Sequence, residues 1–294
     1  MTARTAVIDI GTNSTRLLVA DVDAAGRLAV VKTALATTRL GEGMAGGALT
    51  PAGMRRTVEA IGTFRAAAEA LEAGKVVAVA TSAVREAANR AVFLRLARES
   101  CGLEVRVLSG EEEAILSRQG ALAGLPVDPE RALVIDIGGG STEFCWQEEG
   151  RLGWASLPLG AVRLTEVEID DAALAEALEP VLGELRRRPR DPVGVGGTIT
   201  TLAAMAQRLE VYDPARVHGY VLALDEVDRL LALLLASTLE ERRRLPGLQP
   251  ERADIIPAGA RILRAVLHGL GAQSIRVSEY DLLHGIALEA SRAP

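Results

Sequence analysis

The sequence is short of the residues that most often announce a functional site. Cysteine occurs only as Cys101 and Cys145, neither in a CxxC spacing nor beside a histidine. That excludes a disulfide framework and a thiolate zinc site, and leaves both as small core residues. The histidines, His218, His268 and His284, are scattered along the chain, so any metal would have to be a hard ion held by carboxylates. No apolar run approaches the roughly 20 residues of a membrane-spanning helix; the longest lies around Leu230–Ala236. Positive charge is not in excess either. The formal net charge is −6, which argues against a nucleic-acid coat or a protein held on an anionic membrane, since both need a basic field. Lysine is nearly absent, Lys32 and Lys75 being the two. The cations are therefore arginines, whose planar forks suit bidentate phosphate contacts, although a genomic nucleotide bias explains the same composition.

What is present is an ordinary globular composition, 49% hydrophobic and 24% charged over 294 residues, enough for two medium-sized lobes. The opening "MTARTAVIDIG" enters a strand almost at once, and the expectation is a cytoplasmic protein without a leader. The most informative feature is a repeat: "VIDIGTNST" at Val7–Thr15 returns as "VIDIGGGST" at Val134–Thr142, altered only at its sixth and seventh positions. Each copy reads as a buried strand, a tight Gly/Asn-rich turn and a second strand, and a period near half the chain length points to two homologous lobes rather than a solenoid. The turns bring together Asn13 and Ser14 in one copy and Gly138, Gly139, Gly140 and Ser141 in the other, where backbone N–H groups can converge on phosphate oxygens. Asp9 and Asp136 stand just before them. Two such tips facing across a cleft would hold a polyphosphate from both sides.

A third glycine-rich stretch, "VGVGGTITTLAA" at Val193–Ala204, follows the breaker run "RRRPRDP" and predicts a strand, a turn at Gly196 and Gly197, and a helix opened by Thr198. A helix N-terminus of this kind suits an anion; with no lysine after the glycines it is not a Walker A loop. In "SGEEEA", Ser109 and Glu112 have capping-box spacing, so Glu112 is occupied structurally, while Glu111 and Glu113 fall in the same first turn. The residues alone leave these glutamates as caps or as catalytic carboxylates. In "VATSAVREAANR" a core strand is followed by a loop bearing Ser82 and Arg85, and then a helix. Arg85 is either a ligand at a strand's C-terminal end or a surface ion pair. Glu143 is either a metal ligand beside Asp136 or a solvent-facing hairpin residue.

Taken together, "DIGTNS", "RLGEGM" (Arg39–Met44), "TSAVR" ending at Arg85, "SGEEEA", "DIGGGSTE", "GVGGTITT", "VHGY", "DIIPAGARIL" and "RVSEYDLLHG" resemble the exopolyphosphatase/guanosine pentaphosphate phosphatase (Ppx/GppA) family, in its short two-domain form, over nearly the whole chain. The resemblance implies an α/β fold of two duplicated actin-like (ribonuclease H-like) lobes of the sugar kinase, Hsp70 and actin superfamily. It places the first lobe at residues 1–120 and the second at 121–294, with an active site in the interlobe cleft and the last helix, about 280–294, as a candidate to rejoin the first lobe. It implies Glu113 as catalytic base. Asn13, Ser14, Arg85, Gly138–Ser141, Gly196, Gly197 and Thr198 are implied as phosphate-binding residues. Asp136, Glu143 and Asp9 are the implied ligands of Mg²⁺, with Mn²⁺ as an alternative. The last motif departs from the family pattern, having Glu279 in place of aspartate and Leu283 in place of arginine.

The expected activity is release of terminal phosphate from polyphosphate, guanosine pentaphosphate or both, with no nucleic-acid or membrane partner and with a homodimer considered. The alternatives are a non-catalytic alarmone sensor and an ATP-dependent kinase of the same superfamily. Longer family members carry a further C-terminal helical module, so the expectation here is non-processive cleavage.

Overall fold

Apolar runs such as "AVI" (Ala6–Ile8) and "LLVA" (Leu17–Ala20) suit strands buried on both faces, because alternate side chains then enter two different cores. The computed structural model describes residues 3–187 and 190–292. In it β1 (Ala3–Ile10) and β2 (Thr15–Val22) form an antiparallel hairpin in which Asp9 stands opposite Arg16 and Ile10 opposite Thr15. The chain continues through β3 (Leu28–Ala36), α1 (Pro51–Ala70), β4 (Lys75–Ala80), α2 (Ser82–Glu86), α3 (Arg90–Cys101), β5 (Val105–Val107) and α4 (Gly110–Ala123). The sheet order is β3-β2-β1-β4-β5, with β1, β4 and β5 parallel. Ile8, Ile10, Leu17 and Val19 meet Ile61, Phe64 and Phe93 of α1 and α3 on one face. Val7, Leu18 and Val79 meet Leu116 of α4 on the other.

The second half repeats this plan. It runs β6 (Ala132–Ile137), β7 (Thr142–Glu148), β8 (Arg151–Leu157), α5 (Ala161–Glu166), α6 (Asp171–Leu185), β9 (Asp191–Val195), α7 (Gly196–Ala206), α8 (Pro214–Val217), β10 (Val221–Ala223), α9 (Leu224–Ala236), α10 (Leu239–Arg242), α11 (Ile256–Leu270) and β11 (Ser274–Val277). Its sheet order, read from the other edge, is β8-β7-β6-β9-β11 with β10 added outside. Position for position this is the first sheet, so the sequence repeat reflects a duplicated α/β architecture. The last helix, α12 (Leu282–Arg292), packs back on α4, β1 and β2. The chain thus divides into Met1–Ala123 with Leu282–Pro294, hereafter unit 1, and Gly124–Asp281, unit 2. No helix of the described residues is long and apolar enough to cross a membrane.

Some local readings change. Ser82 and Arg85 lie on the short helix α2 rather than in a loop. α7 opens at Gly196, not at Thr198, because Val195 is extended and Gly196, at φ 86°, turns the corner. The final helix starts at Leu282, close to the expected 280. In the breaker run, Arg188 and Pro189 lie outside the described residues.

The seam between α12 and α4 is the tightest approach in unit 1: a Cβ added at Gly285 would fall inside the contact distance of the Leu116 carbonyl. Backbone cannot yield as a side chain does, so Gly285→Ala is expected to cost about 1–3 kcal/mol, read as a lowered thermal midpoint. An unchanged midpoint would show that the helices are not in this contact.

Candidate active site

In unit 1 the site residues collect at the C-terminal ends of the parallel strands, where open α/β sheets place their ligands. The turn after β1 is closed by a bond from the Gly11 amide to the Ser14 carbonyl at 3.0 Å. The Asn13 carbonyl takes the Arg39 amide and the Thr12 carbonyl the Gly41 amide, each at 2.8 Å. The acceptors of Thr12, Asn13 and Ser14 are thus engaged from within the protein, and the polarity left for a ligand is that of N–H donors, which suits an anion. Asn13 and Ser14 are both buried, and Asn13 Nδ2 donates to Ser14 Oγ at 3.1 Å.

Arg85 on α2 donates through Nη1 to Glu113 Oε2 at 2.7 Å and to the Leu108 carbonyl at 3.1 Å. Glu113 is 7% exposed, in the first turn of α4. Its neighbour Glu112 is the cap: the Ser109 amide donates to Glu112 Oε2 at 2.8 Å and the Glu112 amide to Ser109 Oγ at 3.1 Å. The Ser109 amide first, and then Arg106, holds the Glu112 carboxyl below its ordinary value. Of the adjacent glutamates, one is therefore fastened to the helix end and to Arg106, while the other is buried against Arg85.

In unit 2 the corresponding turn is closed by the same bond, Gly138 amide to Ser141 carbonyl at 3.0 Å. The Gly138 and Gly139 carbonyls accept the Ala161 and Val162 amides at 3.0 and 2.8 Å, and Gly140 accepts Arg163 Nε at 2.9 Å. This turn, too, has its acceptors taken from behind. Asp136 and Glu143 are cross-strand partners, and Ser156 Oγ donates to Glu143 at 2.7 Å. A Cβ at Gly196 would stand 2.5 Å from Asp136 Oδ1, so the opening of α7 adjoins the acidic pair. Thr198 is nearly buried, with its hydroxyl and methyl turned to Gly259 of α11. It has its backbone amide, rather than its side chain, to offer an anion.

Alignment of the two hairpins explains the metal candidates. Arg16 in the first copy occupies the place of Glu143 in the second. Asp9 is accordingly paired with Arg16 at 2.7 Å, whereas Asp136 faces a second carboxylate. Like charges in cross-strand register repel, and a hard dication between them relieves this. Among the described residues no group of three or more potential ligands is assembled. Mg²⁺ commonly keeps several waters and uses only one or two carboxylates with substrate phosphates, so Asp136 and Glu143 fit it. Asp9, which gives Oδ2 to Arg16, is the remaining implied carboxylate beside a turn.

Sequence reasoning missed several neighbours. The Arg252 guanidinium lies against Gly197, leaving no room there for a Cβ; the only sequence signal is the double glycine itself. Tyr212 donates its hydroxyl to Glu279, and burial and then the Glu279 charge push the phenol far above its ordinary value.

The model of the Ppx/GppA phosphatase family matches residues 18–292. The chain belongs to this family. Exopolyphosphatase 2 of Mycobacterium tuberculosis is 36% identical over 311 residues, covering 97% of this chain and 98% of that protein. The crystal structure of the Aquifex aeolicus Ppx/GppA member superposes with a TM-score of 0.80 at 31% identity, covering 99% of this chain and 98% of that one. An exopolyphosphatase from Cytophaga hutchinsonii superposes at 0.86 with 28% identity, covering 98% of each. As a Ppx/GppA phosphatase with two α/β units of like sheet topology, the chain is a hydrolase acting on phosphoanhydride bonds.

The cap at Glu112 has a pH signature. A carboxyl whose folded value is depressed stabilises above its unfolded value and loses that contribution as pH falls through the folded one. Glu112→Gln is thus expected to lower stability at neutral pH by under about 1 kcal/mol, since the group is partly exposed. The deficit should fade as denaturation is repeated below the ordinary glutamate range. A deficit constant with pH would mean that charge plays no part in the cap.

Proposed function

We propose that the protein releases terminal phosphate from linear polyphosphate by in-line attack of a water from which Glu113 takes the proton. Guanosine pentaphosphate is the second substrate of the reading, because the groups concerned contact phosphates common to both. The observation that carries it is the buried pair at 2.7 Å between Glu113 and Arg85, in a family of phosphatases and with an exopolyphosphatase 36% identical along its length. Helix capping leaves Glu113 unexplained, since Glu112 already closes α4.

Arg85 serves two partners in turn. When a terminal phosphoryl group draws its fork away, the Glu113 carboxylate becomes available to the attacking water, so arrival of substrate prepares the base. The amides of Asn13, Ser14 and Gly138–Ser141, with those of Gly196–Thr198, oppose the charge on the phosphoryl oxygens, and Arg252 adds a cation beside Gly197. Asp136 and Glu143 would hold a Mg²⁺, or in its place Mn²⁺, which supplies Lewis-acid charge to the phosphate oxygens when bound.

Glu113→Gln is expected to lower kcat for phosphate release by at least about 10²-fold with KM little changed, because a general base acts in the transition state more than in the ground state. Glu112→Gln should keep most activity. Arg85→Ala should raise KM and lower kcat together, having lost both duties. Equal sensitivity of Glu112 and Glu113 would overturn the assignment.

A panel of polyphosphates, guanosine pentaphosphate and ATP, assayed across a Mg²⁺ titration, tests substrate and cation together. Asp136→Asn and Glu143→Gln should each raise the Mg²⁺ needed for half-maximal rate by roughly tenfold or more. Asp9→Asn should raise it less, since Arg16 holds one of its oxygens. Full activity in excess chelator would remove the cation from the reading, and binding of guanosine polyphosphates without phosphate release would favour a sensor.

A further inference from the structure

His218, from the "VHGY" motif, has no part in the reaction above, yet it is bonded beside both places where the chain passes between the units. The chain leaves unit 1 after Ala123 and returns to it at Leu282. His218 closes the short helix α8. Its Nε2 lies 2.8 Å from the Gly124 carbonyl, and its Nδ1 accepts the Glu279 amide at 3.1 Å. The Tyr280 ring is tilted against it with centroids 5.3 Å apart. Gly124 is enclosed by the same rings: a Cβ there would stand 2.8 Å from Tyr280 Cδ2 and 3.0 Å from His218 Cε1. The partners dictate the tautomer. An amide N–H only donates, so Nδ1 carries the lone pair; a carbonyl only accepts, so Nε2 carries the hydrogen. One neutral imidazole thereby joins two backbone segments that are remote in sequence.

Both segments lead to groups of the proposed site. Gly124 directly continues α4, whose first turn holds Glu113. Glu279 follows β11, where Val277 pairs with Gly194 and the Ser278 amide donates to the Gly194 carbonyl at 2.9 Å, beside the turn into α7. The Glu279 carboxylate in turn accepts the Tyr212 hydroxyl, and Tyr212 is also bonded to Thr200 of α7 and senses the Arg252 charge. The imidazole is therefore linked at one end to the helix of the base and at the other to the glycine loop and its arginine.

We propose that His218 is a positioning residue: by pinning Gly124 and Glu279 it fixes the end of the helix that bears Glu113 and the segment behind the Gly196–Thr198 loop. The proposal rests on the reading of Glu113 as base. Each unit has its own apolar core, to which His218 does not belong. Its loss should therefore register in turnover before it registers in folding, since small misplacements remote from the chemistry cost roughly 10- to 100-fold in rate.

The test is steady-state phosphate release from polyphosphate, with thermal midpoints, for His218→Ala, His218→Asn, His218→Gln and Gly124→Ala. The asparagine keeps an acceptor near the Nδ1 position and the glutamine a donor near Nε2, so each should recover part of the rate. Gly124→Ala keeps His218 but crowds its contact with Tyr280, and should lower kcat in the same way. Expected is a 10- to 100-fold lower kcat for His218→Ala, with KM within about twofold of the parent. An unchanged kcat in folded His218→Ala, or a loss fully accounted for by the unfolded fraction, overturns the proposal. If His218→Ala does not fold, Gly124→Ala decides by the same criteria. Glu113→Gln in parallel separates the two levels: parent-like turnover there removes the base assignment and the positioning role with it. An inactive Glu113→Gln beside a fully active His218→Ala removes the positioning role alone.

Discussion

The structure depends on how its two turns dispose of their carbonyl oxygens. A reversal closed by one bond, Gly11 to Ser14 or Gly138 to Ser141, would ordinarily present acceptors and donors alike to solvent. Here the acceptors are taken by segments that follow in the chain: Arg39 and Gly41 in one unit, Ala161, Val162 and Arg163 in the other. In the proposed reading, an anion approaching either turn meets N–H dipoles in place of backbone carbonyl oxygens. The placement of Arg39–Met44 and of the start of α5 follows from this need. Gly160 can come so close to Gly139 and Gly140 only because it has no side chain.

Duplication supplied two copies of the turn, and a change of charge sign made them unlike. Arg16 pairs with Asp9, whereas Glu143 sets a second carboxylate opposite Asp136, so the two hairpins differ in local charge. This local arithmetic is independent of the net charge of −6, because screening confines distant charges to about 10 Å or less. An acidic protein can therefore offer phosphate a donor-rich site while avoiding the diffuse attraction to nucleic acid that a basic surface would bring.

The family resemblance singled out Glu113, whereas the sequence by itself made the duplicated hairpins and the capping box at Ser109 and Glu112 legible, because each rests on local spacing. It did not disclose the partners of those groups. That Arg85 meets Glu113 depends on β4, β5 and α4 being neighbours, which no local pattern records. Arg252 and Tyr212 were invisible for the same reason, lying far along the chain from the glycines they adjoin. The helix starts at Ser82 and Gly196 were misjudged where a glycine at positive φ or a single short turn shifts the boundary, and β8 was missed because an edge strand half exposed to solvent carries little apolar signal.

α12 completes the core of the unit in which the chain began. Leu282, Leu283 and Ile286 fill the cluster of Val7, Leu18, Val79 and Leu116, and they follow the whole of unit 2 in the order of synthesis. While the ribosome is still translating unit 2, the sheet face behind α4 is therefore an uncovered apolar surface and the helix bearing Glu113 lacks its backing. A nascent chain can make the strands and turns early, but the helix bearing Glu113 gains its backing only when α12 emerges.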